Sequence, residues 1–350
     1  MKGKCYIQGM AAISPQPTFE GDIFSAPLLH NSNNLLPCVE PDYKPFIPAN
    51  SLRRMSRVLK MGLTAALKCM QDSGITTPGP IVTGTGKGSL QDTEKFIKEI
   101  VEYKETALNP TPFIQSTYNS VNGLIALQQK CTDYSNTFVH RGFSFENALL
   151  DSIMLLQEGA QHTLTGAFEE ITAEHFYIKS RIGFWKTQPT DNRELYAHLS
   201  PGTIAGEGAA FFSLTSAPSA QSYAAITGFK TLYKPTPEKL RASLENFQFT
   251  PDLIVTGRNA DSNFDYYYDE PGRVFPGVPQ LPFKHLCGEY DTATAFGMWL
   301  SAKLLKSQHI PHQWFPGVIA LPAHLNKILL YNQFYGEQHV VLTLERIPNS

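Results

Sequence analysis

The chain contains 350 residues, of which 42% are hydrophobic and 17% charged, and its net charge is −2. This composition is sufficient for a large globular core, built as one domain or as two halves. The near-neutral charge, without any run of basic residues, gives no reason to expect nucleic acid or an anionic membrane surface as a partner.

Strand-like runs alternate with helical runs, which predicts an α/β fold in which helices cover a largely buried sheet. The predicted strands are 5–13, 80–83, 137–140, 162–165, 209–214, 224–231, 252–256 and 340–345. The clearest helix is predicted over 51–73, where apolar residues recur at steps of three and four, Ser51 serves as N-cap and Gly74 ends the helix. Three further helices are predicted at 144–157, 236–246 and 293–305.

The segment 136–160 predicts a strand, a sharp turn and a helix. A residue at the apex of such a turn lies at a helix N-terminus, where free N–H groups and the helix dipole favour an anionic nucleophile such as a thiolate. The apex here is Phe143, which has no nucleophilic atom. His140, three residues earlier, is interpreted as structural.

Neither the cysteines nor the acidic residues indicate a metal site. The five cysteines are widely spaced and form no CxxC pair, so we expect reduced thiols. The segment 259–283 is rich in acidic residues but lacks the spacing of a calcium loop, and we interpret it as a solvated connection. The run TGTGKG at 83–88 lacks the P-loop spacing, so no nucleotide or other cofactor is expected.

The first residues do not form a secretory signal, and no apolar run approaches the roughly 20 residues that span a bilayer. We therefore expect a cytoplasmic protein.

Six segments, in order along the chain, resemble the β-ketoacyl-acyl-carrier-protein synthases of the thiolase superfamily. They are CYIQGMAAISP (5–15), RRMSRVLKMGLTAALKCMQDSGI (53–75), IVTGTGKGSL (81–90), SPGTIAGEGAAFFSL (200–214), AAITGFKTL (224–232) and KHLCGE (284–289). The resemblance implies a thiolase-like fold, with two similar halves in a five-layer α-β-α-β-α sandwich. The halves would be 1–217 and 218–350, joined at the polar link 215–222.

In the resembling family, a cysteine and two histidines carry out decarboxylative condensation. The resemblance assigns these positions to Phe143, to Arg258 and to Glu289, while Lys284 and Gly288 match the family pattern. Arginine does not act as a general base in proteins, and phenylalanine carries no thiol. The three replacements together predict a subunit in which the catalytic set is lost.

Two local hypotheses concern these positions. If the three replacements converge on one pocket, Arg258 and Glu289 would form a buried ion pair beneath the ring of Phe143. Cys287 is a candidate displaced thiol, but it lacks the helix-terminus position that would activate it.

The segment 109–130 matches the part of the family that lies at the dimer interface and lines the acyl tunnel, and 332–346 matches the final loop and strand. The residues assigned to tunnel and interface are Phe113, Tyr118, Asn119, Phe334 and Tyr335.

Three functions remain open at this point. The first is a chain length factor type of subunit that pairs with an active ketosynthase and works with acyl carrier protein, in type II polyketide or fatty-acid-like synthesis of polyene or pigment chains. The second is an enzyme with altered chemistry, an acyltransferase or thioesterase that uses Glu289. The third is a homodimeric acyl-binding protein without a synthase partner.

Overall fold

The computed structural model describes residues 4–21, 24–315 and 322–348. Its strands are β1 (Cys5–Ile13), β2 (Leu35–Leu36), β3 (Ile81–Gly84), β4 (Ser135–Phe138), β5 (His162–Glu169), β6 (Ala205–Gly206), β7 (Gly208–Thr215), β8 (Ala224–Tyr233), β9 (Leu253–Thr256), β10 (Gln280–Pro282), β11 (Lys327–Phe334) and β12 (Gln338–Glu345). Its helices are α1 (Ala49–Leu52), α2 (Arg57–Ser73), α3 (Leu90–Glu102), α4 (Pro110–Gln115), α5 (Ser120–Gln129), α6 (Ser144–Gln157), α7 (Ala173–Arg181), α8 (Pro237–Glu245), α9 (Glu270–Val274), α10 (Lys284–Cys287) and α11 (Thr294–Ser307). None of these described helices is both long enough and apolar enough to cross a membrane.

The same strand order occurs twice. The first half runs β4-β3-β5-β7-β1 and the second runs β10-β9-β11-β12-β8. In each half the three strands at the outer side pair in parallel, and the remaining pairs are antiparallel. A short antiparallel contact between β1 and β8 joins the two halves. The topology is therefore an internal repeat, although the division at residue 217 remains a prediction.

Three apolar cores separate the layers. The central core contains buried residues of α6 and α11, together with inward-facing residues of strands from both halves. A second core lies between α2, α5 and the first half of the sheet, and a third lies between α8 and the second half. The order of layers is therefore helix, sheet, helix, sheet, helix, as predicted.

The prediction of one helix over 51–73 is wrong in its first turn. The long helix α2 begins at Arg57 with Ser56 as its N-cap, and Ser51 belongs to the short helix α1. The side chain of Gln115 accepts from the N–H of Ser56 and donates to the carbonyl of Arg54, which holds the connection between the two helices. The apolar spacing continues through this connection, so sequence periodicity alone does not reveal the break.

Candidate functional site

The turn before α6 is tightly organised. Arg141 has a left-handed backbone, with φ of 52°, and the hydroxyl of Ser144 accepts the N–H of His140 and donates to the carbonyl of Arg141. The side chain of Gln338 on β12 accepts the N–H of Gly142 at 2.9 Å and donates to the carbonyl of His140 at 3.0 Å. The second half of the chain thus holds the turn in place through one glutamine.

Phe143 lies at the end of this turn, directly before the first residue of α6, and only 7% of it is exposed. Its ring packs edge-on against the ring of His140, with centroids 5.7 Å apart. His140 is itself exposed and contacts Asn147, which fits the structural interpretation of this histidine. The helix N-terminus therefore presents a hydrocarbon ring where a nucleophile would need a polar atom.

The structure separates Arg258 from Glu289. The guanidinium of Arg258 forms ion pairs with Asp265 and Asp269 and is 29% exposed. Glu289 instead pairs with Lys284, so the predicted ion pair between Arg258 and Glu289 is wrong. The acidic residues after β9 lie closer to Arg258 than the carboxylate of Glu289 does. Spacing along the sequence does not show which of these carboxylates is nearer.

The buried polar centre consists of Lys284, Glu289 and Asn259. The ammonium of Lys284 lies 2.5 Å from one oxygen of Glu289, and the amide of Asn259 donates to the other at 2.8 Å. The side chains of Lys284 and Glu289 are 0% and 2% exposed. Burial raises the pKa of Glu289, and the charge of Lys284 opposes that shift. Both carboxylate oxygens are engaged, so Glu289 is held as one member of a closed network.

Backbone contacts fix this centre between the halves. The N–H of Glu289 donates to the carbonyl of Ile204, and the N–H of Gly206 donates back to the carbonyl of Glu289. Gly288 has a positive φ of 71°, and a Cβ there would lie 2.5 Å from the carbonyl oxygen of Ala205. The glutamate of the GEGA turn, Glu207, binds Arg57 with both oxygens and is therefore structural.

Cys287 is fully buried, and burial raises the pKa of its thiol. A thiol of this kind stays protonated at neutral pH, so the environment does not support a displaced nucleophile. The prediction that 259–283 is a solvated connection is wrong, because the segment forms α9 and β10 and buries Tyr268 and Glu270. Its acidic residues have protein partners, since Asp265 and Asp269 bind Arg258 and Glu270 binds Arg241.

Glu146, in the first turn of α6, is a buried acid that sequence reasoning missed. It is 1% exposed and faces Thr294 of α11, and burial raises its pKa to about 7. Glu146 is the one charged residue among the buried residues of this helix, and a lone Glu on a face of apolar and small residues is a sequence signal that could have singled it out.

Replacing Glu146 with glutamine will make the folded chain more stable at high pH. Folding raises this pKa from 4.5 to about 7, so the folded state holds the proton more tightly and loses stability as pH rises through that range. Glutamine removes the ionisation. The free energy of unfolding of the variant should therefore exceed that of the wild type by about 3 kcal/mol above pH 8 and equal it near pH 4. Urea denaturation of both proteins across this range measures it, and a difference independent of pH would contradict the assignment.

The residues predicted for tunnel and interface fall into two groups. Phe113, Tyr118 and Asn119 lie exposed on the surface of the first half. Phe334 is buried and packs over the turn. It lies so close to Gly142 that a Cβ added at Gly142 would be only 2.4 Å from the Cβ of Phe334. Tyr335 lies beside it, with ring centroids 4.6 Å apart.

An unpaired sheet edge lies beside the exposed group. The outermost strand of the first half is β4, and a groove separates it from the segment that carries Tyr118. Along this edge, large apolar side chains are exposed from the loop, from the strand end and from the outer face of α6. We call this surface the β4 surface; its residues are Tyr118, Ser135–Phe138, Val139, Leu150 and Met154.

Part of the first half of the chain matches a known protein family. Residues 31–181 match the family model described as "Beta-ketoacyl synthase, N-terminal domain". No curated protein sequence matches the chain significantly.

Solved structures extend the match over the whole chain. A β-ketoacyl synthase from Burkholderia phymatum STM815 superimposes with a TM-score of 0.80 and 15% identity, covering 99% of this chain and 100% of that one. A ketosynthase in complex with its chain length factor from Xenorhabdus doucetiae gives 0.76 and 17%, covering 99% and 98%. A type II polyketide acyl-carrier protein in complex with its ketosynthase bound to the hexaketide gives 0.75 and 14%, covering 99% and 100%.

The fold is therefore the thiolase-like fold of the ketosynthases, as the sequence predicted. The resemblance to the β-ketoacyl synthases is confirmed by the match of residues 31–181 to the family's N-terminal domain.

Proposed function

We propose that this chain is a noncatalytic subunit of the chain length factor type, which pairs with an active ketosynthase in polyketide-type chain assembly. The observation that carries the proposal is Phe143, a buried ring at the helix terminus where the resembling enzymes hold their acyl group. Condensation needs a thiol at that point, and no rotation of a phenyl ring supplies one.

The other two family positions support the same function. Arg258 is held by two aspartates, and a guanidinium has no acceptor atom with which to act as a general base. Both oxygens of Glu289 are occupied by Lys284 and Asn259, which argues against the alternative in which Glu289 acts as a base or nucleophile. These three side chains form structural contacts in place of a catalytic set.

The β4 surface supports the pairing. An open strand edge exposes backbone N–H and C=O groups that another strand can satisfy. The exposed apolar side chains around it, Tyr118, Val139, Leu150 and Met154, are each between 41% and 49% exposed. Contiguous exposed apolar side chains on a protein surface commonly mark a site of protein–protein contact. The ketosynthase would contribute the active thiol, and the acyl carrier protein would deliver substrate to the pair.

Co-expression with a ketosynthase that keeps its cysteine and two histidines tests the proposal. We expect a 1:1 heterodimer by affinity capture through the ketosynthase, followed by size-exclusion chromatography with light scattering. A chain that purifies alone as a homodimer and turns over acyl thioesters would contradict it.

A further inference from the structure

The ammonium of Lys186 is surrounded by oxygen atoms. Its Nζ donates to the carbonyl oxygens of His198 and Ala260 at 2.8 and 2.9 Å. It also approaches the carbonyl oxygen and the hydroxyl of Ser200 at 3.3 and 2.9 Å. Lys186 is only 5% exposed. We call this arrangement the Lys186 cage; its residues are Lys186, His198, Ser200 and Ala260.

The cage has more oxygen atoms than an ammonium has N–H groups. An ammonium carries three N–H groups, whereas four oxygens lie within 3.3 Å of this Nζ. At least one N–H group is therefore shared between two oxygens, and the contact depends on the charge of the ammonium as much as on individual hydrogen bonds. A spherical cation, which has no directional bonds, suits the same set of oxygens.

The oxygens also define which cations fit. All four are neutral, and they lie 2.8–3.3 Å from the nitrogen. Magnesium and calcium bind oxygens at about 2.0–2.6 Å and rely on carboxylates, so the cage does not match a divalent ion. Backbone carbonyl oxygens replace the hydration shell of potassium in selective channels. The set of oxygens is therefore typical of a monovalent cation such as potassium or ammonium.

Two carboxylates near the cage add to its preference for a positive charge. Burial lowers the pKa of Lys186, and the charges of Asp261 and Asp265 oppose this shift. Asp261 accepts from the backbone N–H groups of Gly202 and Asn263, so its position is fixed. The electrostatic field at the cage therefore favours a cation, whether or not that cation is attached to the chain.

The cage lies behind the loop that reaches the buried polar centre. Ala260 has a left-handed backbone, with φ of 56°, and its neighbour Asn259 donates to Glu289 at 2.8 Å. The carbonyl of Asn259 accepts the hydroxyl of Thr203, on the loop before β6, at 2.7 Å. A cation in the cage thus holds these two loops together and keeps Asn259 directed at Glu289.

We infer that Lys186 is a monovalent cation attached to the chain: its ammonium occupies a site of the potassium type, and shortening the side chain opens this site to free potassium or ammonium ions. The four oxygens belong to other segments of the chain, so removal of the side chain beyond Cβ leaves them in place and makes room for an ion. The inference does not depend on the proposed pairing with a ketosynthase.

Urea denaturation of the purified full-length Lys186→Ala variant tests the site in the chloride salts of potassium, ammonium and tetramethylammonium at equal ionic strength. In tetramethylammonium, which is too large for the cage, we expect the urea midpoint to lie below that of the wild type. Potassium and ammonium should each recover at least about half of that loss, because an ion that binds only the folded state stabilises it.

Lys186→Met is the matched control, since methionine fills most of the space of the lysine and carries no charge. Its midpoint should also fall, but its response to the three salts should follow that of the wild type. The wild type measures the general effect of each salt, because its own ammonium occupies the cage.

Crystals of Lys186→Ala grown with rubidium chloride locate the ion directly. We expect an anomalous peak among the oxygens of His198, Ser200 and Ala260, and a rubidium site elsewhere with none in the cage would contradict the inference. It is also overturned if Lys186→Ala responds to the salts as Lys186→Met does, or if it matches the wild type in tetramethylammonium. A variant that folds by circular dichroism only with potassium or ammonium supports the site, whereas one that folds in none of the three salts overturns it.

Discussion

Lys284→Met should destabilise the folded chain by about 3–5 kcal/mol, since it leaves the carboxylate of Glu289 buried without its cation. The amide of Asn259 would still donate to one oxygen, but it carries no compensating charge. The centre also joins the 284–289 loop to the 204–206 segment, so its loss weakens the contact between the halves. Urea denaturation at neutral pH measures the change.

Two further variants separate the ion pair from simple loss of packing. Adding Glu289→Gln to Lys284→Met removes the stranded charge and should recover a large part of the lost stability. Lys98→Met breaks the exposed pair with Glu174 and should leave the denaturation curve unchanged. If the double variant is as unstable as Lys284→Met alone, the cost does not come from an unpaired buried charge.

Leu150→Asp should weaken the proposed heterodimer by at least about tenfold, because it puts a charge into the apolar rim of the β4 surface. Leu150 lies on the outer face of α6, where it is 41% exposed and one turn from Met154. Its replacement removes little from the core, so the isolated chain should keep its stability. Surface plasmon resonance with immobilised ketosynthase gives the dissociation constants.

The same substitution at Leu199 provides the matched control. Leu199 is 61% exposed and lies in a loop outside the β4 surface, so Leu199→Asp should bind the ketosynthase as the wild type does. Equal loss of binding in both variants would show a general effect of added charge, and no loss in either would place the interface elsewhere.

Helices and strands are predicted correctly from the sequence where hydrophobic periodicity and local turn chemistry agree. The helix over 144–157 and the strand over 5–13 have the bounds predicted for them. Helix α3 was missed, although Phe96, Ile97, Ile100 and Val101 recur at helical spacing. Its charged face and partial exposure weaken the apolar pattern, and no helix was predicted there.

Only part of the candidate site could be predicted from the sequence. That Phe143 carries no thiol can be read from the sequence, whereas its assignment to the nucleophile position of the resembling family remains a prediction. The choice of partner for Glu289 is not visible, since Lys284 is five residues away whereas Asn259 reaches it from a distant loop. Competition among nearby charges depends on distances that only the folded chain defines, which is why the Arg258–Glu289 prediction failed.

We propose that this chain carries no acyl nucleophile and that a partner ketosynthase supplies one. Intact-mass spectrometry of the purified heterodimer, after exposure to acyl-loaded carrier protein, tests it most directly. We predict an acyl adduct on the ketosynthase, lost when that subunit's cysteine is replaced by alanine, and an unchanged mass for this chain. A covalent acyl adduct on this chain, retained when the partner's cysteine is absent, would contradict the account.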